Sequence, residues 1–256
     1  SPAEQAQTVL PMLRQALHFS ANEVVDLVRR HWLNERDRDL LSWQVLGGGD
    51  AAPQVGPWLD ALVLIAGRSP IAEWAIGHLA GVVSAAQPEA APTLVAAWLK
   101  RQIDSAAAPS AATPERDEDE TTHTAVARRV QSVLEARQFH DMEAIAEAAP
   151  RAFVEAVWPI LLDGLQFVAS EPPSIVVGYR QNSGMLFEDL DDEETRIERP
   201  LLRSVQLGIQ GWAAVDPDGF LEFVAANAHS ELLLAHRLLA VGLVRCAAHS
   251  PQRVFD

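Results

Sequence analysis

Apolar residues recur along most of this chain three or four positions apart, which is the spacing of an α-helix. The clearest stripes are Val9, Leu13, Ala16 and Leu17; Val126, Val130, Val133 and Leu134; and Val154, Val157, Trp158, Leu161 and Leu165. This period places the side chains on one helical face, which can pack against a neighbouring helix. Strand-like alternation is almost absent, and its one candidate is the short apolar run at 174–179. The pattern predicts an all-α protein of about a dozen helices.

Signals for helix starts agree with this interpretation. Serine stands three residues before glutamate in Ser1-Pro2-Ala3-Glu4 and in Ser20-Ala21-Asn22-Glu23, which is the arrangement of a capping box. Ser69-Pro70 and Ser250-Pro251 offer a serine cap followed by proline at the first helical position. We therefore expect helices to begin at these four serines.

A pair of alanines, followed within a few residues by proline and then by an apolar helix, occurs four times. The prolines lie at positions 88, 150, 217 and 251, so the last interval is 34 residues and the other two are 62 and 67. Each longer interval contains a polar, acidic segment that accounts for its excess, at 105–122 and at 170–198. We interpret the unit as a helical hairpin of about 34 residues, of which two copies carry a long insertion.

This interpretation predicts the organisation of the whole chain. In a stack of hairpins the Ala-Ala–Pro turns share one edge, so both acidic insertions should project from the opposite edge. The N-terminal part fits the same register, with helix pairs near 20–32 and 37–46 and near 57–67 and 70–86. We expect one helical region over 1–256, made of N-terminal hairpins (1–104), an acidic flexible loop (105–122) and C-terminal hairpins (123–256) that contain the insertion at 170–198.

The Ala-Ala–Pro turns resemble those of HEAT-like α-solenoid repeats, in which a proline commonly lies near the turn into the second helix. The resemblance covers 85–256 and extends more loosely over the first 84 residues. It implies a right-handed stack of antiparallel helical hairpins, as in HEAT and armadillo proteins, forming a curved scaffold that binds other macromolecules. Bacterial signalling and defence NTPases carry such helical arrays as sensor regions. The 34-residue interval also suits a tetratricopeptide repeat, but the Gly and Tyr positions of its first helix are not evident here.

Charge narrows the classes of partner. The chain has 35 acidic and 20 basic residues and a formal net charge of −15, which repels duplex DNA and anionic membranes. The one basic cluster, at 29–38, is interleaved with Asp26, Glu35, Asp37 and Asp39, and we interpret it as a solvated helix face with ion pairs. No apolar run reaches the 18 residues that indicate a membrane span. We expect neither a nucleic acid nor a membrane as partner.

The single cysteine suggests a cellular compartment, and the chain ends suggest a longer polypeptide. Cys246 cannot form an internal disulfide, which fits a reducing compartment, and we expect a cytoplasmic protein. The sequence begins at one helix start and stops at another, so we expect a piece of a longer polypeptide.

No motif indicates catalysis, a cofactor or a metal. The glycine-rich run at 47–50 lacks the Lys and Ser/Thr of a phosphate-binding loop. The run Asp216-Pro217-Asp218-Gly219 hints at a calcium loop, but Asn227 stands where a bidentate Glu is needed, so a helix cap is the better interpretation. The eight histidines do not cluster at metal spacing, His78 is expected to be packed or half-exposed, and Cys246 is expected to be a buried thiol.

Two features remain as candidate binding elements. The seven tryptophans, at 32, 43, 58, 74, 98, 158 and 212, either fill helix interfaces or, if exposed, serve as binding anchors. The second insertion is either a solubilising loop or, because it combines apolar and acidic side chains, a segment that docks on a basic partner and becomes ordered. Its predicted partner-binding residues are Phe187, Glu188, Asp189, Asp191, Asp192, Glu193 and Glu194.

The sequence therefore favours a noncatalytic helical-repeat scaffold that binds a protein partner or sibling domains of its own polypeptide. The alternative is an all-α enzyme or ligand-binding domain whose pocket is assembled from separate helices. A deep pocket with converging His, Arg and carboxylate side chains would favour the enzyme, and an open, shallow concave face would count against it.

Overall fold

The computed structural model describes residues 2–48, 53–108, 122–135, 142–169 and 200–249. Across these ranges the chain forms twelve α-helices and one turn of 3₁₀-helix, with no extended strand. The all-α fold predicted from the hydrophobic period is confirmed. The chain divides into two compact units, residues 1–101 and 102–256, and each is described by itself.

The first unit contains five complete helices and the beginning of a sixth. The helices are α1 (Pro2–Leu17), α2 (Ala21–His31), α3 (Asp39–Leu46), α4 (Pro57–Arg68), α5 (Glu73–Ala86) and α6 (Ala91–Ala107). A 3₁₀ turn (Arg36–Arg38) precedes α3. Helix α1 packs against α2 and α3, and α4 packs against α2 and α3. These pairs are neighbours or next neighbours in chain order.

The core of the first unit comes from the apolar stripes of these helices. Val28, Val45, Leu62, Ile65 and Leu94 are inaccessible to solvent. Burying a side chain of this size stabilises the fold by roughly 1.5–3 kcal/mol relative to leaving it exposed. The start of α4 follows from local chemistry, because Gly56 adopts a positive φ of 110° and Pro57 then takes the first helical position.

The second unit contains the end of α6 and six further helices. They are α7 (Thr122–Leu134), α8 (Met142–Ala148), α9 (Pro150–Val168), α10 (Pro200–Val215), α11 (Pro217–Asn227) and α12 (Leu233–His249). Helix α10 is central, packing against α8, α9, α11 and α12, while α7 packs on α9. Its buried face carries Leu202, Val205, Ile209 and Ala213, all inaccessible to solvent.

The structure has a helix boundary at each of the three Ala-Ala–Pro runs that it describes. Helix α5 ends at Ala86 before Pro88, and α9 and α11 begin directly at Pro150 and Pro217. Proline suits positions 150 and 217 because its fixed φ fits the first helical turn, which needs no donor there. Pro88 instead lies in the turn before α6, which begins at Ala91. The fourth turn, at Pro251, lies outside the described residues. Helix α9 runs on through the internal Pro159.

One predicted helix start is wrong. Ser69 does not cap a helix that begins at Pro70: it ends α4, and α5 begins at Glu73. The reason is tertiary, because the Ser69 hydroxyl donates a hydrogen bond to the buried carboxylate of Asp39. The start after Ser20 is confirmed, although the Ser20 side chain makes no capping hydrogen bond.

The two predicted insertions fall largely outside the described residues. Helix α6 runs to Ala107, into the segment predicted as a loop from 105, and α7 begins at Thr122. Of the second insertion, 170–198, nothing is described, and the strand candidate at 174–179 lies within it.

Candidate functional site

An open pocket of about 450 Å³ lies in the first unit, where α1, α3 and α5 meet. Its apolar lining includes Leu40 and Trp43 from α3, Ile71 from the connection before α5, and Trp74 from the first turn of α5. Arg14 from α1 and His78 from α5 supply basic groups. No carboxylate lines the pocket among the described residues.

The pocket has a buried base and an exposed edge. Trp43 and Ile71 are 7% and 4% exposed, so they belong to the core. Trp74 is 79% exposed and Leu40 is 51% exposed. A large aromatic ring left in water beside an apolar cavity is the kind of surface that marks a binding site.

Arg14 is fixed at the pocket by its contact with α3. Its Nε donates a hydrogen bond of 2.6 Å to the backbone carbonyl of Gln44. Gly48 leaves room for both partners of this bond, because a Cβ there would lie 2.6 Å from the carbonyl oxygen of Gln44 and 2.9 Å from Nη2 of Arg14. The guanidinium therefore has a defined place at the edge of the pocket. His78 stands one helical turn beyond Trp74 on α5.

A buried ion pair holds α3, which carries much of the pocket. Asp39 is inaccessible to solvent and accepts two hydrogen bonds from Arg68, from Nε at 2.8 Å and from Nη2 at 2.5 Å. Nη2 of Arg68 also donates to the carbonyl of Leu33 at 2.7 Å, and Ser69 donates to the same carboxylate. The pocket thus rests on a helix fixed at its first residue to the end of α4.

The sequence predicted that Asp39 belongs to a solvated face around 29–38, and this is wrong, because Asp39 is buried. The exposed ion pairs expected there do occur, between Arg30 and Asp26 at 3.1 Å and between Arg38 and Glu35 at 2.8 Å. Asp39 instead points inward and binds Arg68, because it begins α3 on the side facing α4.

Most of the tryptophans fill helix interfaces, as the packing interpretation predicted. Five of them, Trp43, Trp58, Trp98, Trp158 and Trp212, are buried. Two of these buried indoles donate their N–H to an acceptor inside the protein. Trp58 donates to the carbonyl of Leu46 at 2.9 Å, and Trp158 donates to the side chain of Asn227 at 2.8 Å. Trp32 is half-buried. Trp74 is exposed, which makes it the candidate anchor.

A second pocket, of about 350 Å³, lies in the second unit beside the turn from α8 to α9. Glu147, Gln210 and Arg245 line it together with Pro150 and Gly211. It brings together a carboxylate and a guanidinium without a histidine, whereas the pocket of the first unit has Arg14 and His78 without a carboxylate. Among its described lining residues, neither of these two pockets combines a histidine, a guanidinium and a carboxylate, and the enzyme alternative stays a hypothesis.

The Asp216–Gly219 run is a helix cap, as its proline suggested. Oδ1 of Asp216 accepts a hydrogen bond of 3.0 Å from the backbone N–H of Gly219 at the start of α11. This bond lowers the pKa of Asp216, and hydrogen bonding from Trp212 and the charge of Arg151 act in the same direction. The Arg151 guanidinium lies 5.3 Å from the Trp212 ring centroid and ion-pairs with Asp216 at 3.3 Å. These groups stabilise the α9–α10–α11 packing.

Two further side chains bear on the sequence-based predictions. Cys246 is 1% exposed, and burial raises the pKa of its thiol, so the predicted buried thiol is confirmed. His78 is exposed rather than packed, which corrects the expectation drawn from its small neighbours.

Within the described ranges no three His, Cys, Asp or Glu side chains are grouped to hold a metal ion, and no helix is long and apolar enough to cross a membrane.

The predicted partner-binding residues of the acidic insertion lie outside the described residues and stay a prediction. They are Phe187, Glu188, Asp189, Asp191, Asp192, Glu193 and Glu194. The pocket around Trp74 was missed by sequence reasoning, which identified the ring as one of seven without distinguishing it.

The chain matches no protein-family model, no curated protein and no solved structure.

Proposed function

We propose that this chain is a noncatalytic helical scaffold of the cytoplasm that binds a protein partner, and that the pocket around Trp74 is its binding site. The observation that carries the proposal is the 79% exposure of Trp74 beside an open apolar cavity. Tryptophan is among the residues that contribute most to binding energy when a partner covers them. Leaving it in water gains nothing for the fold.

The helices that form the walls of the pocket support this role. Trp74 stands in the first turn of α5, and α3 is fixed through Asp39 and Arg68, so both walls belong to regular helices. A preformed site on rigid elements loses little conformational entropy when a partner binds.

The arrangement of the helices supports a scaffold built from hairpins. Each helix pair named above as packing together is a neighbour or next neighbour in chain order, as expected when hairpins stack one after another. In this proposal the chain is a right-handed α-solenoid of the HEAT-like kind. The acidic insertion with Phe187 and the carboxylates at 188–194 is a second proposed contact for a basic protein surface.

The test places a photo-reactive benzoylphenylalanine at position 74 of the full chain. We expect it to cross-link a protein partner in cells. The same group at Phe19, which is 82% exposed but does not line the pocket, is the matched control and should not capture that partner. The purified partner should then bind the wild-type chain at least about tenfold more tightly than the Trp74→Ala variant.

The expected outcomes are specific to the site. Phe19→Ala should leave the affinity unchanged, since it also removes an exposed aromatic ring from the first unit. A partner that binds Trp74→Ala as tightly as the wild type, or that cross-links equally from both positions, would contradict the proposal.

A further inference from the structure

We infer that the partner segment bound at the Trp74 pocket carries an aromatic or long aliphatic side chain next to a carboxylate. This inference rests on the proposed function and names the chemistry of the partner. It follows from the combination of an apolar cavity and a fixed guanidinium in one site.

The apolar part of the pocket calls for a large side chain. Its base is formed by Trp43 and Ile71, and its open side by Trp74 and Leu40, so an inserted group would meet apolar surface on several sides. The two exposed members lose contact with water when the cavity is filled, at roughly 25 cal/mol for each Å² buried. An aromatic or long aliphatic side chain gains most from this geometry.

The charged part of the pocket calls for a carboxylate. Nε of Arg14 donates its hydrogen bond to the carbonyl of Gln44. Neither terminal nitrogen of the guanidinium has a hydrogen-bond partner among the described residues. Two parallel N–H donors of a guanidinium match the two oxygens of a carboxylate. His78 adds a second donor at the same opening.

The charges of the described lining residues favour an acidic segment at this pocket. The chain as a whole carries a net charge of −15, yet no carboxylate lines the pocket among the described residues. Asp39, at the start of α3, is already paired with Arg68 and buried. An acidic peptide is therefore repelled by most of the protein and attracted here, which gives selectivity of place and orientation.

The probe is a phage-displayed library of random short peptides, selected on the immobilised full chain. We expect the enriched peptides to carry an aromatic or long aliphatic residue within two positions of Asp or Glu. Synthetic copies should lose at least about tenfold in affinity with Trp74→Ala and about fivefold with Arg14→Gln. Phe19→Ala and Arg29→Gln, which change an exposed ring and an exposed arginine away from the pocket, are the matched controls and should bind normally.

One further variant separates the charge of Arg14 from the geometry of its guanidinium. Arg14→Lys keeps the charge without the guanidinium geometry, so its affinity should fall between wild type and Arg14→Gln.

The outcomes distinguish this inference from the proposed function. Peptides that depend on Trp74 but show no acidic enrichment, and whose affinity is unchanged by Arg14→Gln, would overturn the inference and leave the docking site in place. If no selected peptide depends on Trp74 while free phenylacetate binds, the pocket takes a small carboxylic acid and the peptide assignment is wrong. Failure of the docking site itself is reported separately by the cross-linking from position 74.

Discussion

At the scale of single residues, Gly242 on α12 lies directly against the side chains of Phe220 and Ile209. A Cβ at this position would lie 2.7 Å from Cγ2 of Ile209 and would overlap the ring of Phe220. Both neighbours are inaccessible to solvent, so neither can move outward. Glycine is ordinarily unfavourable inside a helix by roughly 0.5–1 kcal/mol relative to alanine, and here packing outweighs that preference.

We predict that Gly242→Ala lowers the free energy of unfolding by about 1–3 kcal/mol, because the added methyl group forces Phe220 or the helices apart. Urea unfolding followed by circular dichroism measures the change. The matched control is Gly67→Ala on α4, where the nearest atoms, both of Ala97, would lie 3.7 and 3.8 Å from the new Cβ. That variant should be neutral or stabilised by up to about 1 kcal/mol. Equal effects at the two positions would show that the contact with Phe220 is not decisive.

At the scale of helices, α3 depends on an ion pair more than on its own sequence. It has only eight residues, which is too short to be stable alone, and it begins at the buried Asp39. Arg68, which is 19% exposed, binds that carboxylate from the end of α4. Removing one partner would leave the other buried without its counter-charge.

We predict that Asp39→Ala and Arg68→Ala each lower the free energy of unfolding by about 3–5 kcal/mol. The double variant should cost much less than the sum of the two, because no unpaired charge then remains. The exposed pair Arg30–Asp26 on α2 is the control, and Arg30→Ala should cost no more than about 0.5 kcal/mol. Denaturant unfolding of the four variants measures these changes in the free energy of unfolding. Additive losses for Asp39 and Arg68 would contradict a coupled buried pair.

The same helices show how far the sequence predicts the fold. Local signals sufficed for the helices and for several of their starts: Pro150 and Pro217 begin α9 and α11, as their positions in the Ala-Ala–Pro pattern indicated. These signals act within one turn of the chain. Ser69 carries the same local signal, but its hydroxyl binds Asp39, 30 residues earlier, and α5 begins elsewhere. A contact of that range is invisible to capping rules.

The pocket was beyond prediction for a related reason. Helix α5 is rich in alanine and glycine, so its sequence does not distinguish the face of Trp74 from the buried face of Ile76 and Leu79. The partners of Trp74 in the pocket come from α1 and α3, and their meeting depends on how α3 is held. The sequence offered the right residue type for an anchor, and the packing selected which of seven tryptophans takes that role.

At the scale of the whole molecule, charge is the dominant feature. The chain carries 35 acidic and 20 basic residues. Like charges brought together by folding repel one another, and this repulsion weakens the compact state. The excess of acid is concentrated in the chain segments at 114–120 and 188–194. The basic edge of the Trp74 pocket stands out against this background, which is why an acidic segment would be directed to it.

We predict that salt stabilises this protein. Raising NaCl from about 0.01 M to about 1 M shortens the Debye length from about 30 Å to about 3 Å, so repulsion between separated carboxylates is screened and Tm should rise. The control replaces Glu188, Asp189, Asp191, Asp192, Glu193 and Glu194 by their amides, and six carboxylates removed from a net charge of −15 leave −9. Its Tm should be higher at low salt and should depend less on salt. Differential scanning calorimetry measures both, and a Tm that falls with salt would mean that ion pairs, rather than excess acid, govern the stability of the chain.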